Sequence, residues 1–169
     1  MRNETSHDWP EIAAIIPCLN PGKHRKEGLP AAPPTSAFLD KAQERTWYLG
    51  PHGLEPLIAR DIHFNCSFRD AIDRESMDGK FVFSNKWPTW TGDAEGGLLL
   101  RESLDQTWVA GIAWEDYISL QGHNPWTCMH QSVRVGPLRR NDSRQVSGKI
   151  YLFEGRKEDC LAKFRKDFG

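Results

Sequence analysis

Gly97-Leu98-Leu99-Leu100-Arg101-Glu102-Ser103-Leu104-Asp105-Gln106-Thr107-Trp108-Val109-Ala110-Gly111-Ile112-Ala113-Trp114-Glu115 is the stretch on which the fold class turns. Two segments rich in branched and aromatic side chains flank Leu104-Asp105-Gln106, a break of the length that closes a tight hairpin. The reading is a strand over 97–103, a turn, and a strand over 107–115. Successive side chains alternate along a strand, so Trp108, Ile112 and Trp114 share one face, and both indoles are expected in the core.

The same rhythm runs outward in both directions. Pro and Gly punctuate the chain, and the pieces between them predict strands at 11–18, 46–49, 58–68, 80–84, 127–135 and 146–153. The fold class expected is all-β: an antiparallel β-sandwich or jelly roll. Residues 20–45 form a Pro-rich connection, a surface loop at first, with one short helix over 36–45. The chain closes on a helix over 156–168, where Cys160, Leu161, Phe164 and Phe168 make one apolar stripe. Glu158 and Asp159 in its first turn and Lys163, Arg165 and Lys166 towards its end suit the helix dipole. That stripe is expected to dock on a sheet. No repeat or low-complexity segment divides residues 1–169, which form a single domain.

With 169 residues, 38% hydrophobic and 27% charged, the chain is neither a disordered tail nor a coiled coil nor a membrane span. Its 22 basic and 23 acidic residues leave a net charge of −1, so no bulk field draws it to nucleic acid or to a membrane. Cys18, Cys66, Cys128 and Cys160 lie far apart with no C-x-x-C pair, which speaks against a zinc knuckle. Cys66 and Cys160 fall on apolar faces. Without a secretory signal, reduced thiols in a cytoplasmic protein are expected. Sequons at Asn3, Asn65 and Asn141 are the counter-signal.

Candidate chemistry comes from two strands with polar faces. In 58–68, Ile62, Phe64, Cys66 and Phe68 point one way, and Asp61, His63, Asn65 and Ser67 the other. In 127–135, Met129, Val133 and Val135 oppose Cys128, His130, Ser132 and Arg134. If both polar rows line one concave surface, they form a ligand cleft. His63 and His130 with Glu115 are then the candidate acid–base set, with Glu154 an alternative carboxylate. Asp61, Asn65, Ser132 and Arg134 would bind substrate. Between Gly122 and His130 a turn carries His123, so His63, His123 and His130 could supply three imidazoles to a divalent metal, with Glu115 or Asp116 as a carboxylate ligand. No G-x-S-x-G, H-E-x-x-H or phosphate loop is present.

Seven tryptophans remain to be explained. Trp87, Trp90 and Trp126 adjoin turns, where an indole is hard to bury and stacks well on a sugar ring. Trp90 and Trp126 are therefore candidate platforms. Gly136-Pro137-Leu138, the polar turn through Ser143 and Gly148-Lys149-Ile150-Tyr151-Leu152-Phe153-Glu154-Gly155 resemble the closing hairpin of aldose-epimerase-like (galactose-mutarotase-like) supersandwich proteins. The turn from Asn3 to Pro10 is similar to one inside such a sheet. Arg139-Arg140-Asn141-Asp142 replaces that family's Pro-Gly, and the chain is too short for a full supersandwich. The resemblance implies an uncharacterised β-sandwich group, and no catalytic residue carries over by motif. If a strand is missing at the start, the open sheet edge would be covered by a second subunit in a homo-oligomer.

The expectation is a sandwich that binds carbohydrate or a small polar ligand, with catalysis by His/carboxylate chemistry left open. The alternatives are a cupin-like metalloenzyme with a three-His site and a non-catalytic accessory domain. All of the ligand readings need His63 and His130 to face one hollow.

Overall fold

The computed structural model describes residues 1–21, 38, 44–57, 61–71, 89–90, 93–122 and 128–169, with only the backbone of residues 61, 89 and 90. Its strands are β1 (Ala14–Ile15), β2 (Cys18–Leu19), β3 (Thr46–Gly50), β4 (Gly53–Pro56), β5 (Asp61–Phe64), β6 (Thr89–Trp90), β7 (Gly96–Glu102), β8 (Trp108–Trp114), β9 (Tyr117–Gln121), β10 (Met129–Arg134) and β11 (Gly148–Glu154). Helix α1 (Lys157–Phe168) follows the last strand.

The hairpin that anchors the sequence reading joins β7 to β8. The Gln106 amide donates to the Ser103 carbonyl at 2.9 Å, and the Ser103 hydroxyl accepts from the amides of Thr107 and Trp108. Asp105 closes the turn by accepting from the Ser103 hydroxyl, the main reason its carboxyl sits below the usual range.

Two sheets face each other. One is five-stranded, in the order β11-β8-β7-β3-β4; the other is six-stranded, β1-β10-β9-β5-β6, with β2 also on β10. The pairing is antiparallel except for β5 with β6, which runs parallel. Between the sheets lie Tyr48, Leu99, Ala110 and Ile112 from the first and Tyr117, Leu120 and Met129 from the second. Gln131 of β10 crosses this layer, its amide nitrogen donating to the carbonyls of Gly97 (2.9 Å) and Ile112 (3.1 Å).

Both outer faces are also covered over part of their area. On the first sheet, Leu98, Leu100, Val109, Ala113 and Tyr151 pack against Cys160 and Phe164 of α1. A side chain at Gly111 would stand 3.2 Å from the Cys160 sulfur, so glycine lets the helix come this close. On the second sheet, Ile62, Phe64 and Ile118 pack against Ile12, Phe68 and Ala71. The amino-terminal segment runs beside residues 138–143: Trp9 pairs with Leu138 and Arg2 with Ser143. Asn3 is wholly buried there. Its side chain donates to the carbonyls of His7 and Leu138 and accepts from the amide and hydroxyl of Thr5.

Several expectations change. The strand over 11–18 is broken into β1 and β2 at Ile16-Pro17, because proline has no N–H for the ladder. The strand over 58–68 ends at Phe64. The Asn65 side chain accepts from the Ser67 amide and caps a 3-10 turn, Cys66–Phe68, which leaves Cys66 exposed rather than on an apolar face. Trp108 is 42% exposed, while Trp114 packs against the core. The short helix over 36–45 and the strand over 80–84 fall largely or wholly outside the described residues. No helix among the described residues is long and apolar enough to cross a membrane.

Phe164→Ala should cost about 3–5 kcal/mol, since it empties the contact between α1 and the first sheet. Urea unfolding of the variant against the parent chain measures it, and an unchanged midpoint would contradict the three-layer packing.

Candidate metal centre

Strands β2 and β10 pair antiparallel with Cys18 directly opposite His130. Directly opposed residues project to the same side of a sheet. Cys128 precedes His130 by two positions, the strand period, and comes to the same place. The two sulfurs and an imidazole nitrogen all lie within 4.8 Å of one another. Around a tetrahedral zinc, ligand atoms bound at the usual lengths are separated by about 3.5–3.8 Å. Small rotamer adjustments therefore bring these three donors to one ion.

The electrostatics describe the site without an ion. Burial, and then the neighbouring Cys18 thiol, push the Cys128 thiol up to about 11, while Arg101 and Asn20 pull it back. The Cys128 thiol thus favours its neutral form, and a bound cation would compensate a thiolate there. Cys18 is exposed and Cys128 and His130 are half-buried, so an ion has access from solvent. The four cysteines form no disulfide.

His63 and His130 do not share a hollow. His130 lies in register with Gln121 and Ile62, whereas His63 lies in register with Leu120 and, through it, Gln131. They project from opposite faces of one sheet. His63 points between the sheets and is 3% exposed. Its ring stacks on Tyr48 at 3.8 Å, and its Nδ1 is 3.4 Å from the Asp93 carboxylate. Tyr48 donates to the same carboxylate at 2.8 Å, and burial with this bond drives its phenol far above the ordinary value. This Tyr-His-Asp group ties β3 to β5 across the core.

The other cleft residues whose side chains are described have structural partners. Glu115 is exposed and accepts from the Ser147 amide. Arg134 makes a two-pronged bond to Asp116 (2.8 and 2.9 Å), which Arg144 also grips, and lies over the Phe68 ring. Ser132 is buried and accepts from the Ser119 hydroxyl. Asn65 caps its turn. Asp61 and Trp90 belong to the paired strands β5 and β6; their side chains, and His123 and Trp126 altogether, lie outside the described residues. Of the three imidazoles read as metal ligands, His63 is thus removed from His130 by the thickness of the sheet.

The two cysteines are the candidate donors that the sequence reading did not bring together with His130. Cys128-Met129-His130 carries the signal, two soft donors on one strand face. The third donor comes from a segment more than a hundred residues earlier, and nothing local marks that pairing. The chain matches no protein-family model, no curated protein and no solved structure among those compared.

Thiolates, not thiols, react with alkylating agents, so burial and raised pKa slow labelling. In metal-free protein, iodoacetamide should modify Cys18 and Cys66 first and Cys128 more slowly. Cys160, fully buried and pushed up to about 12 by desolvation, should react only after unfolding. Peptide mapping by mass spectrometry follows the order, and early labelling of Cys160 would contradict the docking of α1.

Proposed function

We propose that this chain is a metal-binding β-sandwich protein that holds one zinc-class ion on Cys18, Cys128 and His130. The observation that carries this reading is the meeting of two sulfurs and an imidazole from β2 and β10 on one accessible surface. Thiolate and imidazole together select borderline and soft cations over calcium or magnesium, which take oxygen ligands. Among the described residues three protein donors converge, and three donors with water or a small exogenous ligand at the fourth corner of a tetrahedron make a complete site. That is how zinc sites that activate water are built, whereas structural sites are closed by a fourth side chain.

The carbohydrate reading rested on two polar rows lining one cleft, and those rows point to opposite faces. Trp90 and Trp126 would now have to carry it alone. The metal reading needs only residues whose mutual geometry is known.

Reduced protein made without an affinity tag and titrated with Co²⁺ should develop tetrahedral cobalt absorption with a sulfur-to-metal charge-transfer band, saturating at one ion per chain. Zn²⁺ should then displace the cobalt. Cys18→Ser or Cys128→Ser should abolish the charge-transfer intensity or halve it, and His130→Ala, which removes a ligand outright, should weaken binding by more than the roughly 10- to 100-fold that loss of an outer-shell partner costs. Cys66→Ser should change nothing. A band that survives the double Cys18→Ser/Cys128→Ser substitution would remove the proposal.

The pH dependence has a definite sign. Cys128 titrates high, so near neutrality its thiol carries a proton that the ion must displace. Zinc affinity, measured by competition with a chromophoric chelator, should rise steeply between pH 6 and 8. A flat profile would point to ligands other than thiols.

A further inference from the structure

The outer edge of β11, unpaired among the described residues, and the adjoining side of α1 form a shallow groove of about 340 Å³, lined by Lys149, Tyr151 and Phe153 from the strand and Lys163, Lys166 and Asp167 from the helix. It is remote from the metal cluster in the fold, since it belongs to the opposite sheet. We propose that this groove docks an extended acidic segment of a partner protein, which adds to β11 as a further strand.

The backbone supplies the first argument. Among the described residues β11 pairs only with β8 and stands last in its sheet. The Glu115 amide donates to the Ser147 carbonyl and the Gly155 amide to the Thr107 carbonyl. In an antiparallel ladder, bonded pairs recur every second residue, so the odd-numbered residues of β11 bond to β8. The N–H and C=O groups of Ile150 and Leu152 therefore point outward. The strand is seven residues long and pairs with β8 without a bulge or a proline, two of the devices that protect an edge.

Side chains supply the second argument. Tyr151 and Phe153 belong to the helix-covered face, and Lys163 lies over the Phe153 ring at 4.9 Å. Lys149 is bridged to Asp167 at 2.8 Å, while Lys163 and Lys166 have no carboxylate bridge among the described residues. The groove wall thus carries a net positive charge. On the opposite face Ile150 and Leu152 are 66% and 64% exposed. An added strand alternates its side chains between these two environments. The matching segment carries Asp or Glu at every second position and aliphatic residues between them, and binds by strand addition.

A second copy fits poorly. Antiparallel pairing of two β11 strands about Tyr151 would place both helices on one face, with Lys163 and Lys166 of each directed at the same lysines of its mate. An acidic strand meets these charges with opposite sign.

The test uses the full chain and a fluorescent peptide of alternating Glu and Val, read by polarisation. A second peptide of identical composition, with the Glu and Val residues in separate blocks, is the control. Saturable binding of the alternating peptide is expected, about tenfold or more weakened in the blocked control and in Lys163→Glu/Lys166→Glu. Ile150→Pro removes an outward N–H without touching the β8 ladder and should abolish binding. Circular dichroism verifies that each variant is folded; if Ile150→Pro is not, the charge reversal and the blocked peptide decide. No binding to the parent chain, equal binding of both peptides, or binding that survives charge reversal would each overturn the proposal. So would a dimer in sedimentation that Ile150→Pro dissolves, which would give the edge to a second copy.

Discussion

The β7–β8 hairpin is buried on both faces, and the rest of the molecule is arranged to make that so. Every residue of β7 is buried, and β8 is buried from Val109 to Ala113. An antiparallel sheet ordinarily keeps one wet face. Here Leu99, Ala110 and Ile112 need the second sheet, and Leu98, Leu100, Val109 and Ala113 need α1. Removing either layer would expose a continuous aliphatic surface. The hairpin thus explains why a small domain needs both a sandwich and a docked helix, and why Gln131 can reach two carbonyls of the opposite sheet without meeting water.

The sequence was most legible where periodicity and turn chemistry agree. The turn at Leu104-Asp105-Gln106 and the stripe of α1 rest on local rules, and both stand within a residue or two of the expected positions. The hairpin of β3 and β4 went unread. Gly50-Pro51-His52-Gly53 is a turn signal, and Gly53 adopts a φ of 106°, but the strand after it contains one strong β-former at most. The strand β9 hid in the short crossing from β8 because Glu115 and Asp116 alone separate them.

Assigning faces failed for a different reason. Alternation shows that Ile62 and His63 point apart; it does not show which of them meets the core. A polar row is assumed to be wet, and that holds only when one face of the sheet is open. At β5 in the second sheet neither face is. Ile62 and Phe64 are covered by Ile12, Phe68 and Ala71, segments that no local pattern links to this strand. His63 enters the core between the sheets because Tyr48 and Asp93 give its ring a stacking partner and a carboxylate. The cysteine cluster was illegible for the same reason, since it depends on the register of β2 against β10.

Asn3 carries a final consequence. It heads a glycosylation sequon, yet every hydrogen-bonding group it has is engaged: its amide with Asp142, its carbonyl with Asn141, its side chain with His7, Leu138 and Thr5. An oligosaccharide could be attached there only to the unfolded chain. Once attached, it would evict the carboxamide from two carbonyls and hold the amino-terminal turn off the sandwich. The Asn-x-Thr spacing that reads as a sequon is also the spacing the turn itself uses, since Thr5 donates to the Asn3 carboxamide oxygen through both its amide and its hydroxyl.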